Sequence, residues 1–309
     1  MGTGVRRYVA IRLLLTVAVI LGVSLLVFLL THVIGNPVDM LLPLQATAKE
    51  RAAMRHKLGL DRPLAVQLAE FLGNMLKGDF GNSWWQRAPA LPLVIRRIPA
   101  TLLLVSLAFG LSLAIALPLG VVAATRPGST LDRGLTAGSL VGVCLPGFWV
   151  GLILVMLFAV RLGWFYTSGF GTWRHTVLPV ITLAVLPAGH LAQITRFAML
   201  DQLNQQYVMV ARAKGVAEYK VVLVHALKNA STAIATMAGM DFGRMMAAET
   251  AAVEVVFGWP GFGSLIIDTI SRQDFPLLQA CVFVVAVIIC LVNLGVDLSY
   301  GLFDPRIRY

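Results

Sequence analysis

The chain has 309 residues, 58% of them hydrophobic and 13% charged, with a mean hydropathy of +0.81. A soluble domain carries about 25% charged residues, so this deficit, with long uncharged runs, excludes an ordinary soluble protein and indicates a membrane-embedded one. The formal net charge of +10 reads as basic residues flanking membrane spans, since no aromatic-studded basic strand accompanies it. Cys144, Cys281 and Cys290 all lie in apolar stretches, which argues against a disulfide framework or a metal site.

The first span is expected over residues 13–31, behind Arg6, Arg7 and Arg12, and is long enough to cross about 30 Å of hydrocarbon. Ala46-Thr47-Ala48 looks like a signal-peptide cleavage site, but the apolar run is too long for a signal h-region and the site lies far beyond it, so a retained helix is expected. Residues 36–97 follow as an external segment. There "KERAAMRHKLGL" and "PLAVQLAEFLGNML" have helical apolar spacing. Gly78, Gly81 and Asn82 break the pattern before Trp84 and Trp85, an interfacial anchor pair or, alternatively, a substrate contact.

Further spans are expected over 98–125, 134–160, 176–195, 231–256 and 277–296. The 176–195 span contains Pro179, Pro187 and His190; membrane helices tolerate proline when neighbours re-satisfy the freed backbone. The chain divides into an N-terminal membrane helix (1–35), the external segment (36–97) and a five-helix core (98–309) with a connecting loop at 200–230. Six spans put both termini on one side. Arg6, Arg7, Arg12, Arg126, Arg133, Arg196, Arg212, Lys214, Lys220, Lys228, Arg306 and Arg308 fall on that side, and the short loops opposite hold Arg161, Arg174 and Arg272. By the positive-inside rule the termini are cytoplasmic.

No G-x-x-x-x-G-K-[ST] phosphate loop, H-E-x-x-H or G-x-S-x-G occurs, so the chain is not itself an ATPase and a membrane enzyme lacks support. The histidines at 32, 56, 175, 190 and 225 show no ligand spacing. The 231–256 span carries Asp241, Arg244, Glu249 and Glu254, and ionisable residues inside a membrane are functional candidates by default. Asp241 and Arg244 share a helix face. They form either a polar lining that meets a charged substrate or an ion pair that packs the bundle. Asp241, Arg244, Met245 and Glu249 are the candidate pathway lining, and Glu254 is expected near the interface. Met237, Met240, Met245 and Met246 offer either an adaptable seal or ordinary packing. These features leave a proton-coupled secondary transporter open.

One connection narrows the choice. "QYVMVARAKGVAEYKVVLVHALKN" (206–229) resembles the cytoplasmic EAA loop of permease subunits in binding-protein-dependent ABC importers. Met209 stands where the general motif has Glu, but "YVMVARAKG" is similar to the version in the peptide-importer branch. "IGNPVDMLL", with Asn36 in place of the branch's Asp, "LGLDRPLAVQLAEFL", "KGDFGNSW", "RRIPATLLL", "LPGFWVGLILVMLFA", "VEVVFGWPGFGSLIIDTISRQDFPLLQA" and "NLGVDLSYGLFDPRIRY" resemble the same branch in collinear order over nearly the whole chain. The chain is thus identified as similar to the permease subunits of the dipeptide/oligopeptide ABC importer family.

That resemblance implies an all-α permease of the type I importer fold in the bacterial inner membrane. It implies a second homologous permease, two ATP-binding cassette subunits that hold ATP and Mg, and an extracytoplasmic substrate-binding protein, with no cofactor on this chain. The cargo would be dipeptides or oligopeptides, or a related nickel chelate or haem. Tyr207, Ala211, Arg212, Ala213, Lys214, Gly215, His225 and Asn229 fall on the ATPase-coupling loop. There the small alanines allow close docking, Arg212 and Lys214 can pair with acidic partner groups, and Gly215 permits a chain turn. Trp259, Pro260, Gly261 and Gly263 fall on a loop that either helps close an external gate or forms an interfacial turn anchored by Trp259.

Overall fold

The computed structural model describes residues 3–34, 38, 42, 45–57 and 59–303. Asn36, Arg306 and Arg308, and the side chains of Arg6, Arg7, Arg12, His32 and Cys144, lie outside that description. Among the described residues the fold is all-helical, with one isolated bridge between Asn82 and Pro89. Among the described residues, four helices are long and apolar enough to cross a membrane: Ala90–Thr125, Trp173–Leu203, Glu218–Val256 and Phe275–Gly295. Shorter apolar helices cover Leu14–Leu29, Leu64–Leu76, Gly147–Arg161 and Phe262–Ser271.

In chain order, α1 is Thr3–Ile34, α2 Ala48–Lys57, α3 Leu64–Leu76, α4 Ala90–Thr125, α5 Thr130–Cys144 and α6 Gly147–Leu154. Then follow α7 Trp173–Leu203, α8 Gln206–Ala213, α9 Glu218–Lys220, α10 Leu227–Arg244, α11 Thr250–Val256, α12 Phe262–Ser271 and α13 Phe275–Phe303. Two of these depart from the spans expected by hydropathy. The uncharged 134–160 run is not one helix, because Pro146 disfavours helical backbone at the residue before it. Leu145 is extended (φ −95°, ψ 128°), α5 stops at Cys144, and α6 restarts behind Pro146 before a π-helical turn at Val155–Arg161. The 231–256 span is longer than expected: α9, α10 and α11 join through π-helical turns at Val221–Ala226 and Met245–Glu249 into one rod, Glu218–Val256. Such turns are rare and occur often at functional sites.

The chain forms two compact units, which interleave in sequence. The first comprises Met1–Pro99 and Gly261–Cys290. Its helix α2 opens on a capping box, in which the Thr47 N–H donates to Glu50 Oε2 at 2.8 Å and the Glu50 N–H to Thr47 Oγ1 at 3.4 Å. Met75, Phe80, Ala90, Val94, Phe262, Leu265, Leu277 and Cys281 build its apolar core. Beside that core the buried Asp274 accepts hydrogen bonds from Ser83 Oγ (2.5 Å) and the Trp85 N–H (3.2 Å), and the Arg272 guanidinium lies 3.8 Å from the Trp85 ring centre.

The second unit comprises Ala100–Pro260 and Leu291–Tyr309. Its helices approach closely through small residues, as membrane helices do. At Gly120 of α4 a Cβ would lie 2.5 Å from Thr195 Cβ and 2.6 Å from the Ala192 carbonyl oxygen of α7, so only glycine fits. Ala116, Leu191, Ala192 and Ala238 pack around this crossing. Where α5 begins, Ser129 caps the helix and Asp132 accepts from the Gly128 N–H (2.8 Å) and from Arg196 Nη2 (3.0 Å). The Arg196 guanidinium, then the Gly128 N–H, hold the Asp132 carboxyl below the usual carboxylate range.

Candidate functional site

Three groups of expected site residues can be placed, all within or beside the Glu218–Val256 rod. The first is the 206–229 connection. After Gln205 in extended backbone, α8 runs eight residues and packs against the Val221–Ala226 turn, with Val208 buried beneath it. Its end is fully capped: the Gly215 N–H donates to the Arg212 carbonyl (2.9 Å) and the Val216 N–H to the Ala211 carbonyl (3.2 Å). This paired closure requires a left-handed residue just past the helix, and Gly215 has φ +76°.

Arg212 is turned back across this cap and grips Glu218 with both edges of its fork, Nη2 to Oε1 at 2.6 Å and Nε to Oε2 at 3.1 Å. Glu218 raises the Arg212 pKa above its ordinary value. Arg212, which can pair with acidic groups on a partner, is thus already paired within the chain. Glu218 is the one Glu of the 206–229 stretch, and its place six residues on, across a glycine turn, puts it within reach. Lys214 and Ala213 are exposed and Ala211 is half-buried. Tyr207 donates to Gln202 Oε1 of α7 at 2.9 Å and, at 3.5 Å, to the His225 carbonyl of the rod, which also accepts from Asn229 Nδ2 at 2.9 Å, so α8 is tied to both neighbours. Met209, Val210, Tyr219, Leu223 and Val224 remain exposed around it.

The second group sits in α10 and the turn after it. Asp241 is 3% exposed, yet its carboxylate is held from two sides. His190 Nδ1 of α7 lies 2.8 Å from Oδ2, and Arg244 Nη2 donates to Oδ1. Glu249 is half-buried within electrostatic range of both Arg244 and His190, against a cavity of about 140 Å³ lined also by Phe148, Thr182 and Leu186. Asp241 and Arg244 share a face as their spacing implies, and His190 is the third member the sequence left unassigned. Of the four lining candidates, Met245 is fully buried and packs inward, Asp241 is buried and paired, and Arg244 reaches outward with 58% of its side chain exposed.

The third group lies at the far end of the rod. Glu254, expected near the interface, is fully buried and accepts from Thr101 Oγ1 at 2.6 Å. The Trp259 N–H donates to the Glu254 carbonyl (2.8 Å), Gly258 takes φ +56°, and the Gly169 N–H donates to the Phe257 carbonyl (2.9 Å). Trp259 is 1% exposed, its indole N–H donates to the Ala100 carbonyl (3.0 Å), and its ring meets Phe170 edge-on. It is therefore a core residue of the second unit and not a surface anchor. Pro260 closes that unit. Gly261 opens α12 in extended backbone, with Gly263 buried in the first turn, both in the first unit.

The family model described as "Binding-protein-dependent transport system inner membrane component" matches residues 116–309, and its companion N-terminal model matches residues 5–107. The oligopeptide transport system permease protein AppB of Bacillus subtilis is 37% identical over 314 residues, covering 98% of this chain and 99% of the relative. The di/tripeptide transport system permease protein DppB of Pseudomonas aeruginosa is 37% identical, with 98% of each covered. The glutathione transport system permease protein GsiC of Salmonella typhimurium is 38% identical, covering 98% and 99%. Among solved structures, an inward-facing MetNI methionine ABC transporter superposes with a TM-score of 0.59 at 18% identity, over 69% of this chain and 96% of that one. An amino acid ABC transporter gives 0.52 at 19%, over 70% and 94%. At these identities the superpositions speak to the fold.

Proposed function

We propose that this chain, which belongs to the family of binding-protein-dependent transport system inner membrane components, is one of two permease subunits of an ATP-driven importer for dipeptides or oligopeptides. The observation that carries the reading is end-to-end similarity to permeases named for oligopeptide, di/tripeptide and glutathione transport. In this reading the chain crosses the inner membrane six times with both termini cytoplasmic, residues 36–97 face outward, and a second, homologous permease completes the path. An external binding protein delivers cargo. Two ATP-binding subunits hold ATP and Mg and do the hydrolysis, and this chain binds no cofactor.

Coupling is assigned to α8 and its cap. A short helix with Ala211 and Ala213 on it, closed rigidly by Gly215 and ringed by exposed Met209, Val210 and Tyr219, suits a cleft on the ATPase. With Arg212 held by Glu218, the free positive charge on this element is Lys214, and the docking contact rests on apolar packing more than on ion pairing. Transmission requires a rigid element with two arrangements that ATP binding biases. The loop bearing Trp259, Pro260, Gly261 and Gly263 is assigned to external gating.

Purification of the tagged chain with two ATP-binding subunits, followed by uptake of labelled peptide into proteoliposomes, tests the reading. Uptake is expected to require ATP and the binding protein and to survive collapse of the proton gradient. Uptake that falls with the proton gradient and persists without any ATPase would replace the reading with a proton-coupled carrier.

A further inference from the structure

Arg244 raises a question the coupling scheme leaves unanswered. About 24 Å of helix separates it from Lys228 on one side and about 18 Å from Val256 on the other, at about 1.5 Å per residue. It therefore lies deep in the membrane-crossing part of the rod, and its side chain is 58% exposed. A guanidinium that deep is costly against lipid tails and normally faces a water-lined cavity or a charged partner. Its exposed neighbours on the same face, Ala233, Met240, Ala247 and Ala248, are small or flexible and carry no charge.

The arginine is also positioned. Asp241 takes Nη2, and Asp241 is itself buried and fixed from behind by His190 Nδ1 at 2.8 Å. Nε and Nη1 make no hydrogen bond among the described residues. A guanidinium has five N–H donors in a planar fork suited to a carboxylate, so most of its donor capacity points away from the tether. Glu249, the other charge in range, is acidic and supplies no competing donor.

We propose that Arg244 is a station for the C-terminal carboxylate of peptide cargo within the membrane, with Asp241 and His190 as positioning residues. The proposal rests on the peptide-importer reading above. Peptides differ in every side chain but share a terminal carboxylate. One tethered arginine on an otherwise small-residue wall would engage each of them without selecting among sequences.

The test uses the complete transporter in proteoliposomes, with trialanine and trialanine amide as probes and the binding protein's affinity for each measured separately. Arg244→Gln is expected to lower trialanine uptake about tenfold, the scale of one lost charge-assisted hydrogen bond. Amide uptake and ATPase activity stimulated by loaded binding protein should fall much less than trialanine uptake, so that the free-acid to amide ratio drops. Arg244→Lys should retain part of the preference, and Asp241→Asn should reduce the free-acid to amide ratio in the same direction but less. Equal loss of both probes would overturn the proposal, pointing to a carboxylate on a neighbouring subunit as the partner of Arg244. Unchanged uptake of both would overturn it too, as would failure of both Arg244 variants to assemble. If the wild-type complex imports neither probe, the peptide-importer reading itself falls.

Discussion

The rod Glu218–Val256 has a left-handed glycine beside each end, Gly215 at φ +76° and Gly258 at φ +56°, yet the two ends are built differently. At Gly215 an added Cβ would meet nothing within 4 Å, the adjacent ion pair is in solvent, and Met209, Val210 and Tyr219 are bare. At Gly258 an added Cβ would touch Ser168 Cβ at 3.4 Å, Trp259 and Glu254 are buried, and the Trp259 indole N–H and the Glu254 carboxylate are both paired within the chain. The same backbone device therefore serves two purposes. One end is shaped by its own hydrogen bonds but leaves apolar side chains uncovered. The other is finished by its own unit. This asymmetry suits a rod driven at one end and anchored at the other.

The largest effect should come from the anchored end. Trp259→Ala removes a fully buried indole and its hydrogen bond to the Ala100 carbonyl. Truncating such a residue costs about 3–5 kcal/mol, so the variant should melt far below wild type in detergent and accumulate poorly in membranes. A variant with wild-type melting and wild-type uptake would break the picture of a core tryptophan. At the driven end, Gly215→Pro cannot take φ +76° and loses the N–H that caps α8 on Arg212. Here the expected loss is functional: membrane insertion stays normal while uptake and transport-linked ATPase stimulation vanish. Normal uptake would remove α8 from the coupling scheme.

The two glycines can be compared directly as alanine variants. Each forces a side chain into left-handed backbone at about 1–2 kcal/mol. Gly258→Ala adds contact with Ser168, whereas Gly215→Ala meets open space. Melting should thus fall at least as much for Gly258→Ala, while the ratio of transport to ATP hydrolysis should fall only for Gly215→Ala. The reverse pattern would invert the assignment of the two ends.

The two ends were also unequally legible in sequence. Gly215 could be read because the cap demands glycine immediately after a helix-prone run, a purely local requirement. The burial of Trp259 and Glu254 could not. A tryptophan beside a span and a glutamate near its end ordinarily sit at the interface, and the groups that bury them, Ala100 and Thr101, are more than 150 residues away in the chain. His190 was visible inside its span, but nothing local tied it to Asp241, 51 residues on. Hydropathy likewise merged α5 and α6, since averaging over residues 134–160 cannot register the extended Leu145 before Pro146.

The smallest expected effect tests whether Arg212 serves the chain or a partner. Its pair with Glu218 is exposed on both sides, and such pairs add little to stability. Glu218→Gln should therefore leave the melting temperature unchanged within error. It should, however, free the guanidinium. If α8 docks on an acidic cleft, the released Arg212 joins Lys214 and the complex should hold its ATPase subunits at higher salt than wild type, since exposed charge pairs weaken as ionic strength rises. Arg212→Gln should leave that salt tolerance unchanged, because in the wild type its charge is already committed. Equal loss of ATPase binding in Arg212→Gln and Lys214→Gln would show instead that both cations reach the partner and that the Glu218 pair opens on docking.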